Sequence, residues 1–410
     1  MRSVEAAGLG VGDGHPPRIM GVCNVSPESP YDPSVFADPG PAAAYVEEEL
    51  LAEGADIIDV GLESANKRFE TLTAAEELGR LDTAIEIVES VSRPAVFSIE
   101  TRYGEVADAA LSRGFDMVND VCGFADPAMP AVCAEYDAAV VKMASPPDLD
   151  RPGAIESVEG IYDALAGGAL TEKTIVDPAF GGWSAGKSTA IDRETFERLR
   201  EFRGLNRPLL VSINRKNFLK EVADRSTEDA LPVSLAATSM AVARGAHVIR
   251  THDVAETRDA ALVGATFGRD RVSQESGVDR ELRIEELDVE GSLDAKRHLD
   301  RIGAEADPEA AVVRVVGIAG LRAEGRDRLA ELVASTGATL AAGADAGSQG
   351  RKRERSIEEG NALESGERVL LFGTIASLRR VVAAIGKQQG TNRTDDELSA
   401  VAAGLRAVID

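Results

Sequence analysis

Residues 174–188 read TIVDPAFGGWSAGKS, and two folds compete for them. The second half, GGWSAGKS (181–188), has the G-x-x-x-x-G-K-S spacing of a phosphate-binding loop. That motif needs a buried strand before it and a helix that begins on the Lys-Ser pair. TIVDPAF (174–180) supplies a strand. The helical pattern of TAIDRETFERLREF starts late, with Asp192 as the expected N-cap and Glu194 and Glu197 in the first turns. Lys187 and Ser188 then fall in a loop, and neither ATP nor GTP binding is expected. The strand belongs instead to a longer series. Short β-branched segments recur at RIMGVCNV (18–25), DIIDVG (56–61), AVFSIET (95–101), DMVNDV (116–121), AAVVKM (138–143), TIVDPAF, LLVSIN (209–214) and HVIRTHD (247–253). Amphipathic helical patterns separate them, among them 42–53, 74–90, 104–113, 156–168, 193–203 and 231–244. Apolar strands alternating with helices imply a parallel sheet. Eight such units within one domain imply a (β/α)8 barrel, with a doubly wound open sheet as the alternative.

The barrel is expected over 18–268, after an N-terminal extension at 1–17. The polar run GRDRVSQESGVDRE then reads as a linker, and 269–309 as linker plus the start of a C-terminal region. Strand patterns at AVVRVVGIAG (310–319) and RVLLFGT (368–374) alternate with helical GRDRLAELVAS and IASLRRVVAAIG. They predict a small α/β domain over 310–410, with a long polar loop at 344–367. Polar strand-end residues are sparse there, so a structural or assembly role is expected.

Composition narrows the function classes. Acidic residues outnumber basic ones 70 to 45, for a formal charge of −25. Such a field disfavours nucleic acid and anionic membranes. Arginine outnumbers lysine, and acids line the helix faces, as in AAEELGRLDTAIEIVES; this pattern suits a saline cytoplasm, where screening makes the charge tolerable. No apolar run approaches the ~20 residues of a membrane span, and the first residues carry no signal core, so a cytoplasmic protein is expected. Cys23, Cys122 and Cys133 form no CxxC pair, and reduced thiols are expected.

In a (β/α)8 barrel, chemistry belongs at the C-terminal strand ends. Polar residues collect there: Asn24, Glu63, Glu100, Asn119, Lys142, Asp177, Asn214, Lys216, Arg250 and His252. Taken singly, Asn24 is a turn former before Pro27 and Asp177 a loop cap before Pro178. A polar residue at almost every strand end is harder to explain as packing, because an unpaired buried charge costs several kcal/mol.

These stretches resemble the signatures of dihydropteroate synthases. MGVCNVSPESPYDPSVF is similar to M-G-I-L-N-V-T-P-D-S-F, DIIDVGLES to D-I-I-D-V-G-G-E-S, and FSIET to V-S-V-D-T. MVNDVCG is similar to I-I-N-D-V-S-G, and IVDPAFG with the later GK to D-P-G-F-G-F-G-K. LLVSINRKNFL resembles L-L-V-G-x-S-R-K-S-F, and VIRTHDV resembles V-x-R-V-H-D-V. The order is kept across the barrel, and the resemblance ends near residue 270. GGWSAGKS then looks like a lengthened form of the family's loop after the sixth strand.

The resemblance implies condensation of 6-hydroxymethyl-7,8-dihydropterin diphosphate with 4-aminobenzoate or a larger arylamine. It implies that Asp177, Asn119 and Glu100 face the pterin, that Lys216 donates to the ring, and that Asn24 binds Mg2+ beside the diphosphate. Arg250 and His252 match the diphosphate anchors, and a homodimer is the family's usual state. The chain departs from the pattern in places. Glu100 stands where the family has aspartate, Ser212 replaces a strand glycine, and Asn217 replaces a serine. ESANKR (63–68) replaces E-S-T-R-P, leaving Lys67 or Arg68 to supply a cation. Two other classes fit less well: a corrinoid-dependent methyltransferase, for which the C-terminal region lacks a cobalamin-binding D-x-H-x-x-G, and a non-catalytic pterin-binding protein.

Overall fold

The computed structural model describes residues 3–28, 32–64, 70–181, 188–269, 273–278, 280–342, 369–387 and 393–410. It divides into two compact units, Met1–Asp288 and Val289–Asp410.

The first unit opens with a hairpin of β1 (Val4–Ala6) and β2 (Leu9–Val11). The barrel strands follow as β3 (Arg18–Asn24), β4 (Ile57–Gly61), β5 (Val96–Thr101), β6 (Met117–Asp120), β7 (Ala139–Met143), β8 (Thr174–Asp177), β9 (Leu210–Val211) and β10 (Val248–Thr251). All ladders are parallel, in the order β8-β7-β6-β5-β4-β3-β10-β9. A bridge between Val176 and Leu209 brings the two outer strands together and all but closes the barrel.

Side chains alternate with a period of two along each strand, so one parity fills the barrel and the other meets the helices. Met20, Ile57, Val96, Met117, Ala139, Ile175, Leu210 and Val248 pack the lower interior together with Val4, Ala6 and Val11 of the hairpin. The sequence read 1–17 as an extension; the hairpin is the floor of the barrel. Asp13, just after it, accepts both terminal guanidinium nitrogens of the fully buried Arg203 (3.0 and 2.7 Å) and meets His247 Nε2 at 3.1 Å. The opposite parity, including Ile58, Val60, Ile99, Val118 and Val176, packs against the helices.

Helix starts follow local chemistry. Thr73 and Glu76 form a reciprocal capping box for 74–90, and Ser157 caps 158–166. One expectation is corrected. The helix after β8 runs Thr189–Glu197 with Ser188, not Asp192, as its N-cap. Asp192 is buried, and its carboxylate instead accepts the amide of Gly181 (3.0 Å).

The expected linker also pairs. β11 (Ser273–Val278) and β12 (Arg280–Glu285) form an antiparallel hairpin, since pairing is carried by backbone groups and a polar composition does not prevent it. The first unit therefore extends to Asp288, a buried residue 3.8 Å from Arg200.

The second unit holds β13 (Val313–Ile318), β14 (Thr339–Ala342) and β15 (Val369–Thr374), in the order β13-β15-β14. Both ladders are antiparallel. Helices 292–301, 323–333, 375–386 and 393–409 complete it around a separate core that includes Leu329, Leu371, Leu378, Leu398 and Leu405.

Candidate active site

The parity of the strands decides which polar side chains face the barrel mouth. On the inward parity stand Asn24, Asp59, Glu100, Asn119, Asp177 and Arg250. Lys142 has the other parity: its ammonium leaves the barrel and donates to the carbonyls of Ala164 (2.7 Å) and Gly167 (2.5 Å) at the end of helix 158–166. Of the strand-end group, Lys142 is thus a helix-terminus contact. Asn214 turns aside as well, donating to Asp253 (2.8 Å), which also pairs with Arg215.

A chain of polar contacts crosses the mouth. Asp59, with 0% exposure, accepts from Asn119 Nδ2 (3.0 Å) and from Arg250 Nε (2.8 Å) through the same oxygen. Arg250 Nη2 donates to Glu100 (2.6 Å). Four strands, β6, β4, β10 and β5, are linked in this way. Asp59 was not singled out from the sequence. The available signal was a lone carboxylate inside an otherwise apolar strand, which has to find a donor or a cation once buried.

Beside this chain lies a pocket of about 340 Å³ lined by Glu100, Asn119, Asp177, Ser212, Lys216 and Arg250, with Met143 and Phe180 as apolar wall. Asp177 accepts the amide of Ala179 (2.7 Å), which lies in the left-handed region at φ 63°. Lys216, at the N-cap of helix 217–223, lies across Gly181: a Cβ there would sit 2.9 Å from Nζ and 2.8 Å from Cδ. Gly181 also has φ +97°, so both the backbone and the close approach call for glycine. Asn24 donates through Nδ2 to Ser34 (3.2 Å), and its Oδ1 fills the space a Cβ on Gly61 would need. The structure therefore brings Glu100, Asn119, Asp177, Lys216 and Arg250 to one pocket, with Asn24 at the end of the neighbouring strand. Arg68 and Lys67 lie outside the described residues, as do Lys187 and the rest of 182–187.

A second pocket of about 370 Å³ shares Glu100 and Val121 with the first and reaches Glu63, Glu77, Arg102 and Arg151. Arg102, 3% exposed, pairs with Glu63 and donates to the carbonyls of Leu72 (2.7 Å) and Leu149 (2.6 Å). It ties the loops after β4 and β7 together.

Burial sets the charge states. It pushes Glu100 up to about 7 despite Arg250, with Asp59 and Glu63 adding to the rise. Burial likewise raises Glu77 to about 7, opposed by Thr101 and Arg102. Burial and then the Arg250 charge lower His252 to about 3, which makes it a neutral imidazole near pH 7. Arg250 stays charged: burial disfavours the cation, but Glu100 and Asp59 hold it above its ordinary range.

The arrangement can bind a flat heterocycle whose edge presents several N–H groups, using carboxylates and an amide in a partly apolar slot. The phosphate-loop spacing falls largely outside the described residues, at 182–187. Of the described residues there, Ser188 caps helix 189–197 and the Asp192 carboxylate takes the Gly181 amide, which sets a negative charge beside that amide.

A model of the family described as pterin binding enzyme matches residues 20–252. Over 256 residues the chain is 35% identical to a probable bifunctional folylpolyglutamate synthase/dihydropteroate synthase of Halobacterium salinarum, a match covering 60% of this chain and 31% of that one. The chain thus spans less than a third of that larger relative. It is 31% identical over 258 residues to a Mycobacterium tuberculosis protein named inactive dihydropteroate synthase 2, covering 58% of this chain and 79% of that one. Among solved structures, dihydropteroate synthase from Thermus thermophilus in complex with 4-aminobenzoate superposes with a TM-score of 0.54 at 28% identity, covering 65% of this chain and all of that one. With more than half of its length matched by the family model, the chain belongs to the pterin-binding enzyme family.

Proposed function

We propose that the barrel unit is a dihydropteroate synthase, condensing 6-hydroxymethyl-7,8-dihydropterin diphosphate with 4-aminobenzoate or a related arylamine and releasing diphosphate. The observation that carries this reading is the convergence of Asp177, Asn119, Glu100 and Lys216 on one pocket of about 340 Å³. Asp177 and Asn119 present acceptors to the pterin edge, and Lys216 supplies a charged donor to the ring. The arylamine nitrogen attacks the exocyclic carbon as the C–O bond to diphosphate breaks, and the new C–N nitrogen then releases one proton to solvent. The chain's part is to orient the two substrates and to balance the departing charge through Arg250.

Mg2+ is the proposed cofactor. Among the described residues no cluster of three His, Cys, Asp or Glu could hold a metal unaided. With its Nδ2 bound to Ser34, Asn24 keeps Oδ1 as a neutral oxygen ligand, which fits a hard cation that retains waters and binds through substrate phosphates. Bound there, Mg2+ would neutralise charge on the diphosphate. No helix among the described residues is long and apolar enough to cross a membrane. A homodimer is proposed from the family resemblance, and a cytoplasmic location from the acidic, arginine-rich composition.

The test is turnover of purified protein with both substrates and Mg2+, followed by diphosphate release and dihydropteroate formation. Absence of product with both substrates bound would sink the synthase reading. It would favour a non-catalytic pterin-binding protein, a reading supported by the Mycobacterium tuberculosis relative whose name says it is inactive.

A further inference from the structure

Glu100 stands where the resemblance has aspartate, and its extra methylene has a consequence at the barrel mouth. Arg250, the anchor expected for an anionic tail, is held by two carboxylates: Asp59 takes Nε at 2.8 Å and Glu100 takes Nη2 at 2.6 Å. An aspartate at position 100 would end about 1.5 Å short of that nitrogen, one carbon–carbon bond. We propose that Glu100 is a positioning residue for substrate selectivity: it holds Arg250 in reserve, and only a pterin whose tail carries a diphosphate draws the guanidinium away. This rests on the pterin site proposed above and adds how that site tells a charged tail from a neutral one.

The competition is electrostatic. A diphosphate offers several acceptor oxygens and more than one negative charge against the single Glu100 carboxylate, while Asp59 still holds Nε. A pterin alcohol offers no such charge and leaves the pair intact. Displacement leaves Glu100 buried beside the ring. The charged groups that face it are Arg250 on β10, Asp59 and Glu63 on and after β4, and Lys216 before helix 217–223, with Asp177 of β8 lining the same pocket. Glu77, from helix 74–90, feels its charge from the second pocket. Burial already pushes Glu100 to about 7, so withdrawal of Arg250 favours its protonation: one proton is taken from solvent and one O–H bond forms. Diphosphate binding is then linked to proton uptake, and binding of the alcohol is not.

Calorimetric titration of the full chain tests this with 6-hydroxymethyl-7,8-dihydropterin and its diphosphate, near pH 7, in two buffers of different ionisation enthalpy. Wild type should take up a fraction of a proton with the diphosphate and none with the alcohol. Glu100→Gln should take up none with either. In Glu100→Asp and Glu100→Gln the diphosphate should gain about tenfold in affinity relative to the alcohol, because Arg250 no longer has to be released. An affinity ratio unchanged in both variants, or proton uptake that persists in Glu100→Gln, overturns the proposal while leaving the pterin site standing. Should one variant fail to fold, the ratio in the other decides. Binding of neither ligand by the wild type removes the site and the inference together.

Discussion

Asp177 and Lys216 bear most directly on whether the pocket takes a pterin. Asp177 ends β8 with its carboxylate on the amide of Ala179, and Lys216 lies over Gly181 from the other side. A carboxylate pairing with a pterin edge loses its water on binding, so Asp177→Asn puts a donor where an acceptor is needed. That substitution should weaken pterin binding by about 2–4 kcal/mol, and Lys216→Ala by a similar amount. Asn24→Ala should instead weaken use of diphosphate and Mg2+ while sparing the pterin alcohol. Titration of the three variants with both ligands checks this, and an Asp177→Asn protein that binds as tightly as wild type would move the pocket elsewhere. These residues were legible because each lies in a stretch that resembles a family signature, Asn24 and Asp177 at strand ends and Lys216 in the loop that follows β9. Asp59 was not, since its partners Asn119 and Arg250 are 60 and 191 residues away and sequence shows no such pairing. Lys142 was misread for a related reason: a strand-end position does not say which way a side chain points, and Ala139, Val140 and Val141 are all apolar and fully buried, so the sequence of this strand does not show its parity.

At the scale of elements, the hairpin of β1 and β2 shows how a short segment becomes essential to packing. Its apolar residues cover the lower barrel interior, and Asp13 fastens it through Arg203 and His247. Asp13→Ala would leave Arg203 buried without that carboxylate, a loss of about 3–5 kcal/mol. The melting temperature should fall by an amount on the order of 10 °C. Burial opposes ionisation of Asp13, but hydrogen bonds and charge from His247 and Arg203 outweigh it and hold the carboxyl far below its ordinary value. A depressed carboxyl stabilises the fold above its unfolded pKa and loses that contribution as pH falls. The stability gap between wild type and Asp13→Asn should therefore be full at pH 7 and shrink below about pH 4. A gap constant from pH 7 to pH 3 would mean that the clasp is not ionic. Sequence placed the eight strands well because period and β-branching are local signals. The start of helix 189–197 was missed because Ser188 and Asp192 are both good caps, and a tertiary contact, Asp192 to Gly181, decided between them.

For the molecule as a whole, the two compact units have separate hydrophobic cores, which predicts independent function for the first. A chain ending at Asp288 should bind pterin within about twofold of the full chain, and loss of binding by a folded protein of that length would make the second unit part of the site. The remaining property that acts everywhere at once is charge. Acidic residues exceed basic ones by 70 − 45 = 25, and many ion pairs lie on the surface, such as Lys296–Asp300 and Arg113–Asp82. Exposed pairs of this kind are worth roughly 0–1 kcal/mol each and weaken as salt rises. Self-repulsion of the excess acids also weakens with salt, and it grows with net charge, so at −25 it should outweigh the loss of the pairs. The melting temperature should climb steeply between low salt and roughly molar KCl, where the screening length falls to about 3 Å. Chloride separates this effect from the general strengthening of apolar burial by sulfate or phosphate, and the rise should level off once screening is complete. A melting temperature indifferent to KCl would show that the acids are held apart well enough at low salt, and the reading of this surface as one suited to a saline cytoplasm would fall.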